Sequence, residues 1–236
     1  MARFEDNNFS GSLGNVVFYK RDGKNYARMK PGKRKKKRGQ APDRNTSIFG
    51  MVSANGSRML KLLNRQLLFP FSLASYNNGR GWMRNHYAAN IDLPQWDITA
   101  KPNDMCQLNA AADLRDILFA VINIQDNGNG KIQVTIPSMN PGRDMKKLPA
   151  RTTSVNMKLA VIYAAFKDNS PVYINLEQYS FDYENTQLPV KEILIDTTAP
   201  AGNLAIIVVA IEPVIAGKSI TAEWLPAAII GMGRFK

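Results

Sequence analysis

From residue 155 onward the chain breaks into apolar runs separated by turn residues, and that rhythm restricts the fold more than any other feature. Residues 155–166, 172–183, 190–195, 204–211 and 219–224 read as strands. Turn signals at 168–171, 185–189, 197–203 and 216–217 lie between them. Runs rich in Val, Ile and Tyr at such spacing predict an antiparallel β-sandwich. Two more runs, 117–124 (ILFAVINI) and 131–136 (KIQVTI), flank the turn-forming DNGNG of 126–130 and predict a hairpin. No period of 20–50 residues recurs, which argues against a solenoid.

Ahead of this β-rich half lies a different pattern. Residues 46–69 carry an apolar stripe that Ile48, Phe49, Met51 and Val52 open and that Met59, Leu60, Leu62, Leu63, Leu67 and Leu68 continue. That spacing predicts a helix, with Asn45, Thr46 or Ser47 as its cap and Pro70 as its stop. Gly50 and Gly56 interrupt it, each at a cost of about 1 kcal/mol against alanine. Either they permit close packing or the helix divides near Gly56. A second helix over 76–90 takes its apolar side from Trp82, Met83 and Tyr87. The expected fold is therefore mainly β with an α-helical insert. Its expected divisions are a glycine-rich hairpin and basic arm over 1–45, a helical segment over 46–92 and a β-sandwich domain over 93–236.

The N-terminal segment supplies the electrostatic character. NVVFY at 15–19 and NYARM at 25–29 flank Asp22-Gly23, a strong hairpin signal, which Pro31 and Gly32 end. Lys33–Arg38 follows as an uninterrupted cationic block that repels itself and stays extended when alone. The net charge is +12. Residues 1–45 hold 13 Lys/Arg and 4 Asp/Glu, a net of +9, against 18 and 15, a net of +3, in 46–236. A local excess of this kind implies a polyanionic partner. The candidate contacts are Arg28, Lys30, Lys33, Arg34, Lys35, Lys36, Lys37, Arg38 and Arg44. Such a run binds phosphates by counterion release without reading sequence. Phe18, Tyr19 and Tyr26 have the chemistry to stack bases, although packing of one hairpin face is the favoured account of them.

The opening pattern resembles that of an uncharacterised family from Bacteroidota genomes and prophages, G-x-x-G-N-V-V-x-Y…G-K-x-x-x-R-x-x-P. The matching positions are Gly11, Gly14, Asn15, Val16, Val17, Tyr19, Gly23, Lys24, Arg28 and Pro31. The block at Lys33–Arg38 departs from that pattern, which continues with fewer charges. The resemblance implies no activity.

Catalytic chemistry finds few candidates. His86 is the single histidine and Cys106 the single cysteine, so paired-His metal motifs and an intrachain disulfide are excluded. His86 reads as structural and Cys106 as a small buried hydrophobe. Gly217, Lys218 and Ser219 imitate the end of a phosphate loop, but the first glycine of that motif would fall on Glu212. The DNGNG segment starts like a calcium loop, yet its twelfth position is Pro137, where a bidentate Glu is needed. Asp182 and Glu184 would share a strand face and read equally well as solvated residues. No enzyme, cofactor or metal is expected.

No run reaches the roughly 18 apolar residues of a membrane span, and the N-terminus lacks a signal-peptide core. The expectation is cytoplasmic synthesis. The expected role is a structural, self-assembling subunit of a virion or other large homo-oligomeric assembly, partnered by itself or by other structural subunits. Its basic arm would contact nucleic acid or an acidic neighbouring subunit. The apolar tail at 225–235 supports assembly, because an apolar terminus needs either its own core or a neighbour. The alternative is a soluble nucleic-acid-binding module without an assembly role.

Overall fold

The computed structural model describes residues 2–5, 8–21, 24–30, 44–67, 71–93, 96–100, 102–146, 148–167, 170–215 and 224–236. It divides into two compact units, Met1–Pro42 and Asp43–Lys236.

The first unit is a four-stranded antiparallel meander. β1 (Ala2–Glu5), β2 (Asn8–Leu13), β3 (Val16–Arg21) and β4 (Lys24–Met29) pair in sequence order. The expected hairpin over 15–29 is β3–β4, though its Asp22-Gly23 turn lies outside the described residues. At the other turn Gly14 adopts φ +55°, which a residue with a Cβ resists. β1 and β2 precede that hairpin and extend it to four strands.

The second unit has three layers. α1 (Arg44–Leu67) and α2 (Leu73–Asn90) form the outer one. Beneath them lies a six-stranded antiparallel sheet, and beneath that a three-stranded one. The larger sheet comprises β5 (Thr99–Ala100), β6 (Cys106–Gln107), β9 (Thr152–Ala164), β10 (Val172–Asp182), β12 (Leu204–Ile215) and β13 (Ala227–Arg234). Its path is β10-β9-β12-β13-β5, with β6 also on β13. The smaller sheet, in the order β11-β8-β7, comprises β7 (Asn123–Asp126), β8 (Lys131–Ile136) and β11 (Lys191–Asp196). The fold is mainly β with a helical insert. Among the described residues no helix is long and apolar enough to cross a membrane.

Why the central strands read as continuous apolar runs follows from these layers. Both faces of the larger sheet are covered, so Leu159–Ala164 of β9 and Leu204–Ile211 of β12 are buried at successive positions. Val161, Ile207 and Val209 face the smaller sheet with Ile132 and Val134. Ile162, Ile206 and Val208 face the helices with Met59 and Leu63. The helical segment is thus not a separate body. It closes one of the two cores of the sheet.

α1 is continuous, which resolves the role of its glycines. A Cβ on Gly56 would stand 2.8 Å from Met83 Cε, and one on Gly79 of α2 would stand 2.9 Å from Leu60 Cδ1. Both glycines let the antiparallel helices approach closely, whereas Gly50 faces open space. Ser72 caps α2, its hydroxyl accepting the Ser75 N–H at 3.1 Å. The Pro70 stop lies outside the described residues.

Two expectations need correction. The run 117–124 is not a strand over most of its length. Asp113 accepts the Arg115 N–H and caps a helical turn at Leu114–Ile117, Leu118 bridges to Met145, and β7 begins only at Asn123. The last strand is β13, starting at Ala227, while 216–223 lie outside the described residues. Its Ala227–Gly233 positions are buried in the middle of the larger sheet. The apolar tail therefore has its own core and lends no support to a neighbour.

Candidate nucleic-acid interface

The register of the N-terminal sheet sorts its side chains onto two faces. Val17 opposes Arg28 and Tyr19 opposes Tyr26, so these four share one face, and Lys24 joins them by the two-residue period of β4. The Tyr19 and Tyr26 rings stack at 5.6 Å between centroids with 21° between planes. Arg28 lies over the Tyr19 ring, its Cζ 5.5 Å from the centroid. A cation over an aromatic face is favourable by roughly 0.5–1 kcal/mol at an exposed site, so the three side chains are held in one arrangement. Yet the tyrosines remain 37% and 43% exposed. They are not hairpin core.

The opposite face carries Leu13, Val16, Phe18, Ala27 and Met29, since Leu13 pairs with Val16, Val16 with Met29 and Phe18 with Ala27. Phe18 is thereby separated from the two tyrosines with which the sequence grouped it. Leu13 and Met29 are each 67% exposed. No described side chain of this unit is buried.

Of the candidate contacts, the structure brings Arg28 beside the tyrosines. Lys30 follows the end of β4, its N–H donating to the Asn15 carbonyl at 2.6 Å, with its side chain exposed. Lys33, Arg34, Lys35, Lys36, Lys37 and Arg38 lie outside the described residues, and Arg44 begins α1. Lys24 was missed. Its signal was its place two residues before Tyr26 and four before Arg28 on one strand.

A second cationic feature was hidden by averaging. The net of +3 over 46–236 divides into residues 46–90, with 5 Lys/Arg and no Asp/Glu, and residues 91–236, with 13 and 15, a net of −2. The helical layer is thus wholly cationic. Arg58 is turned inward, donating to the Ser170 carbonyl at 2.7 Å and to Asn55 Oδ1. Arg80 and Arg84 of α2 stand beside Phe49 and Ser53 of α1.

The two residues considered for catalysis, His86 of α2 and Cys106 of β6, both lie near Asp104. His86 lies 3.8 Å from the Trp82 ring, centroid to centroid, and its Nε2 is 3.1 Å from Asp104 Oδ2. Cys106 is buried in the helix-side core. Burial first, and then the Asp104 carboxylate, push its thiol up to about 11. It stays protonated and weakly nucleophilic at neutral pH. In the DNGNG loop, Asp126 Oδ1 accepts the Gly128 N–H at 2.8 Å and Oδ2 accepts the Lys236 N–H at 3.0 Å. The carboxylate ties the β7–β8 turn to the end of the β13 strand, which is the work of a turn. Among the described residues no three His, Cys, Asp or Glu side chains cluster as a metal site. Gly217, Lys218 and Ser219 lie outside the described residues.

No family model, curated protein or solved structure matches this chain.

Proposed function

We propose that this protein is a non-enzymatic structural subunit of a virion or comparable homo-oligomeric assembly. Its N-terminal sheet docks on another copy through the Leu13, Val16, Phe18 and Met29 face. The tyrosine face and the Lys33–Arg38 block meet nucleic acid. The observation that carries this reading is the four-stranded sheet itself, which forms a unit of its own yet buries no described side chain. A small sheet gains stability by covering an apolar face. An apolar face left open marks a protein contact.

Light scattering tests this reading. The full chain should have a mass at least twice the 26.3 kDa of a single chain. Leu13→Lys combined with Met29→Lys should shift it toward the single-chain mass while the circular dichroism of the second unit persists. A monodisperse 26.3 kDa species would overturn assembly. If that monomer still bound nucleic acid, the module reading would stand in its place, supported by the Tyr19, Tyr26 and Arg28 cluster.

A further inference from the structure

We infer that the groove between α1 and α2 is a second binding site for single-stranded nucleic acid, built entirely within the 43–236 unit. It does not depend on the N-terminal sheet or on assembly. Phe49, Ser53, Asn77, Arg80, Gly81 and Arg84 line a volume of about 280 Å³. Such a space suits a single phosphate and sugar unit better than a large cofactor, since ligand pockets begin at roughly 300 Å³.

The placement of Arg80 is the first reason. One terminal nitrogen lies 3.4 Å from Ser53 Oγ and 3.3 Å from Ser57 Oγ, and the other lies 2.6 Å from Asn77 Oδ1. Three neutral oxygens orient a half-buried guanidinium without neutralising it. A partly desolvated charge is costly until a counter-charge arrives. Neither helix contains an Asp or Glu, and among the described residues no ion pair involves Arg80 or Arg84. A phosphate would supply that counter-charge.

Phe49 gives the second reason, because it distinguishes nucleic acid from a simple anion. Its ring is 53% exposed, with Arg84 Cζ 5.7 Å from its centroid. An exposed ring beside two guanidinium groups combines a stacking platform with phosphate contacts, as sequence-tolerant single-strand binders do. Gly81 keeps the floor open, for a Cβ there meets nothing within 4 Å.

The test is binding of a short oligothymidylate to the full chain across a salt series, with Lys35→Gln/Lys36→Gln/Lys37→Gln as comparator. Arg80→Gln with Arg84→Gln should flatten the slope of log K against log salt by about 1.4, at about 0.7 per phosphate on a single strand. Phe49→Ala should weaken binding roughly 5- to 160-fold, the range for one lost base stack. Gly81→Glu, at a lining position where an added Cβ meets nothing within 4 Å, introduces a negative charge and should weaken binding with the helical circular dichroism unchanged. Wild-type slope and affinity in the Arg80/Arg84 and Gly81 variants would overturn the site, even if the Lys35–Lys37 variant lost binding and the arm contact stood. Equal displacement of the oligonucleotide by polyglutamate would also overturn it, pointing to an acidic protein instead. Failure here leaves the mass measurement untouched, so the two readings fall separately.

Discussion

Gly233→Ala and Gly50→Ala are the same chemical change at sites the structure predicts to respond with opposite sign. A Cβ on Gly233 would stand 2.6 Å from the Asp97 carbonyl carbon and oxygen and from the Ile98 nitrogen. Carbon contacts are favourable near 3.5–4.0 Å, so about 1 Å of movement is required. The obstacle is backbone, and it is pinned. Trp96 O accepts the Arg234 N–H at 2.7 Å, Ile98 is buried, and Lys236 Nζ holds Asp97 Oδ1 at 3.2 Å. Overpacking typically costs about 1–3 kcal/mol, and a backbone-lined site belongs at the upper end. Restricting the unfolded chain returns about 0.4–1 kcal/mol. The net loss is about 2 kcal/mol, or a Tm lower by about 4–8 °C at this chain length. Gly50, inside α1, faces open space. There alanine should stabilise by about 0.5–1 kcal/mol through helix propensity. Urea unfolding followed by circular dichroism, with both variants beside the parent, measures the pair. A Gly233→Ala protein within about 0.5 kcal/mol of the parent would refute the close approach of the last strand to residues 97–98.

Three further outcomes are expected. The Cys106 thiol is raised from 9.0 to about 11, so its contribution is complete below pH 9 and is lost as pH rises through 11. The parent should therefore lose up to roughly 2–3 kcal/mol over that window relative to Cys106→Ala, and parallel alkaline limbs in pH-dependent unfolding would contradict it. Deleting residues 227–236 removes an interior strand and should abolish cooperative unfolding of the second unit; a truncated protein with the parent's β-sheet circular dichroism would show the strand to be dispensable. Changing Lys35, Lys36 and Lys37 to Gln should flatten the duplex-DNA salt slope by about 2.7 and weaken all sequences alike, and an unchanged slope would remove phosphate from the arm's role.

What the sequence made legible was whatever has one dominant local cause. The apolar stripe from Val52 to Leu67 has helical spacing, and α1 follows it with that stripe in the helix-side core. The paired runs at β9 and β12 are strands because β-branched residues recur at successive buried positions. The misreadings had causes at longer range. Residues 227–233, with Gly231 and Gly233, read only as part of an apolar tail that needs its own core or a neighbour. Those glycines are there because residues 97–100 run against them, more than a hundred positions away in sequence. The run 117–124 looked like a strand by composition, but the Asp113 cap and the Leu118–Met145 bridge divide it. At the candidate interface the cations were plain. Their sorting was not, because only strand register separates Phe18 from Tyr19 and Tyr26. The acid-free helical layer was visible in the sequence and obscured only by summing its charge with that of the sheets.

The position of β13 bears on how the chain is made. Among the described residues, Thr99–Ala100 and Cys106–Gln107 pair with no strand except Ala227–Arg234. During synthesis at roughly 5–20 residues per second, the early pair of strands waits about 6–25 s for that partner to be translated. β12 (Leu204–Ile215) emerges only near the end of that interval, and its edge stays open for about 1–4 s until Ala227–Arg234 follows. Until then the sheet lacks the strand that joins β12 to β5 and β6. Translation thus times the closing of this unit, and an incomplete chain lacks the interior strand on which both cores depend.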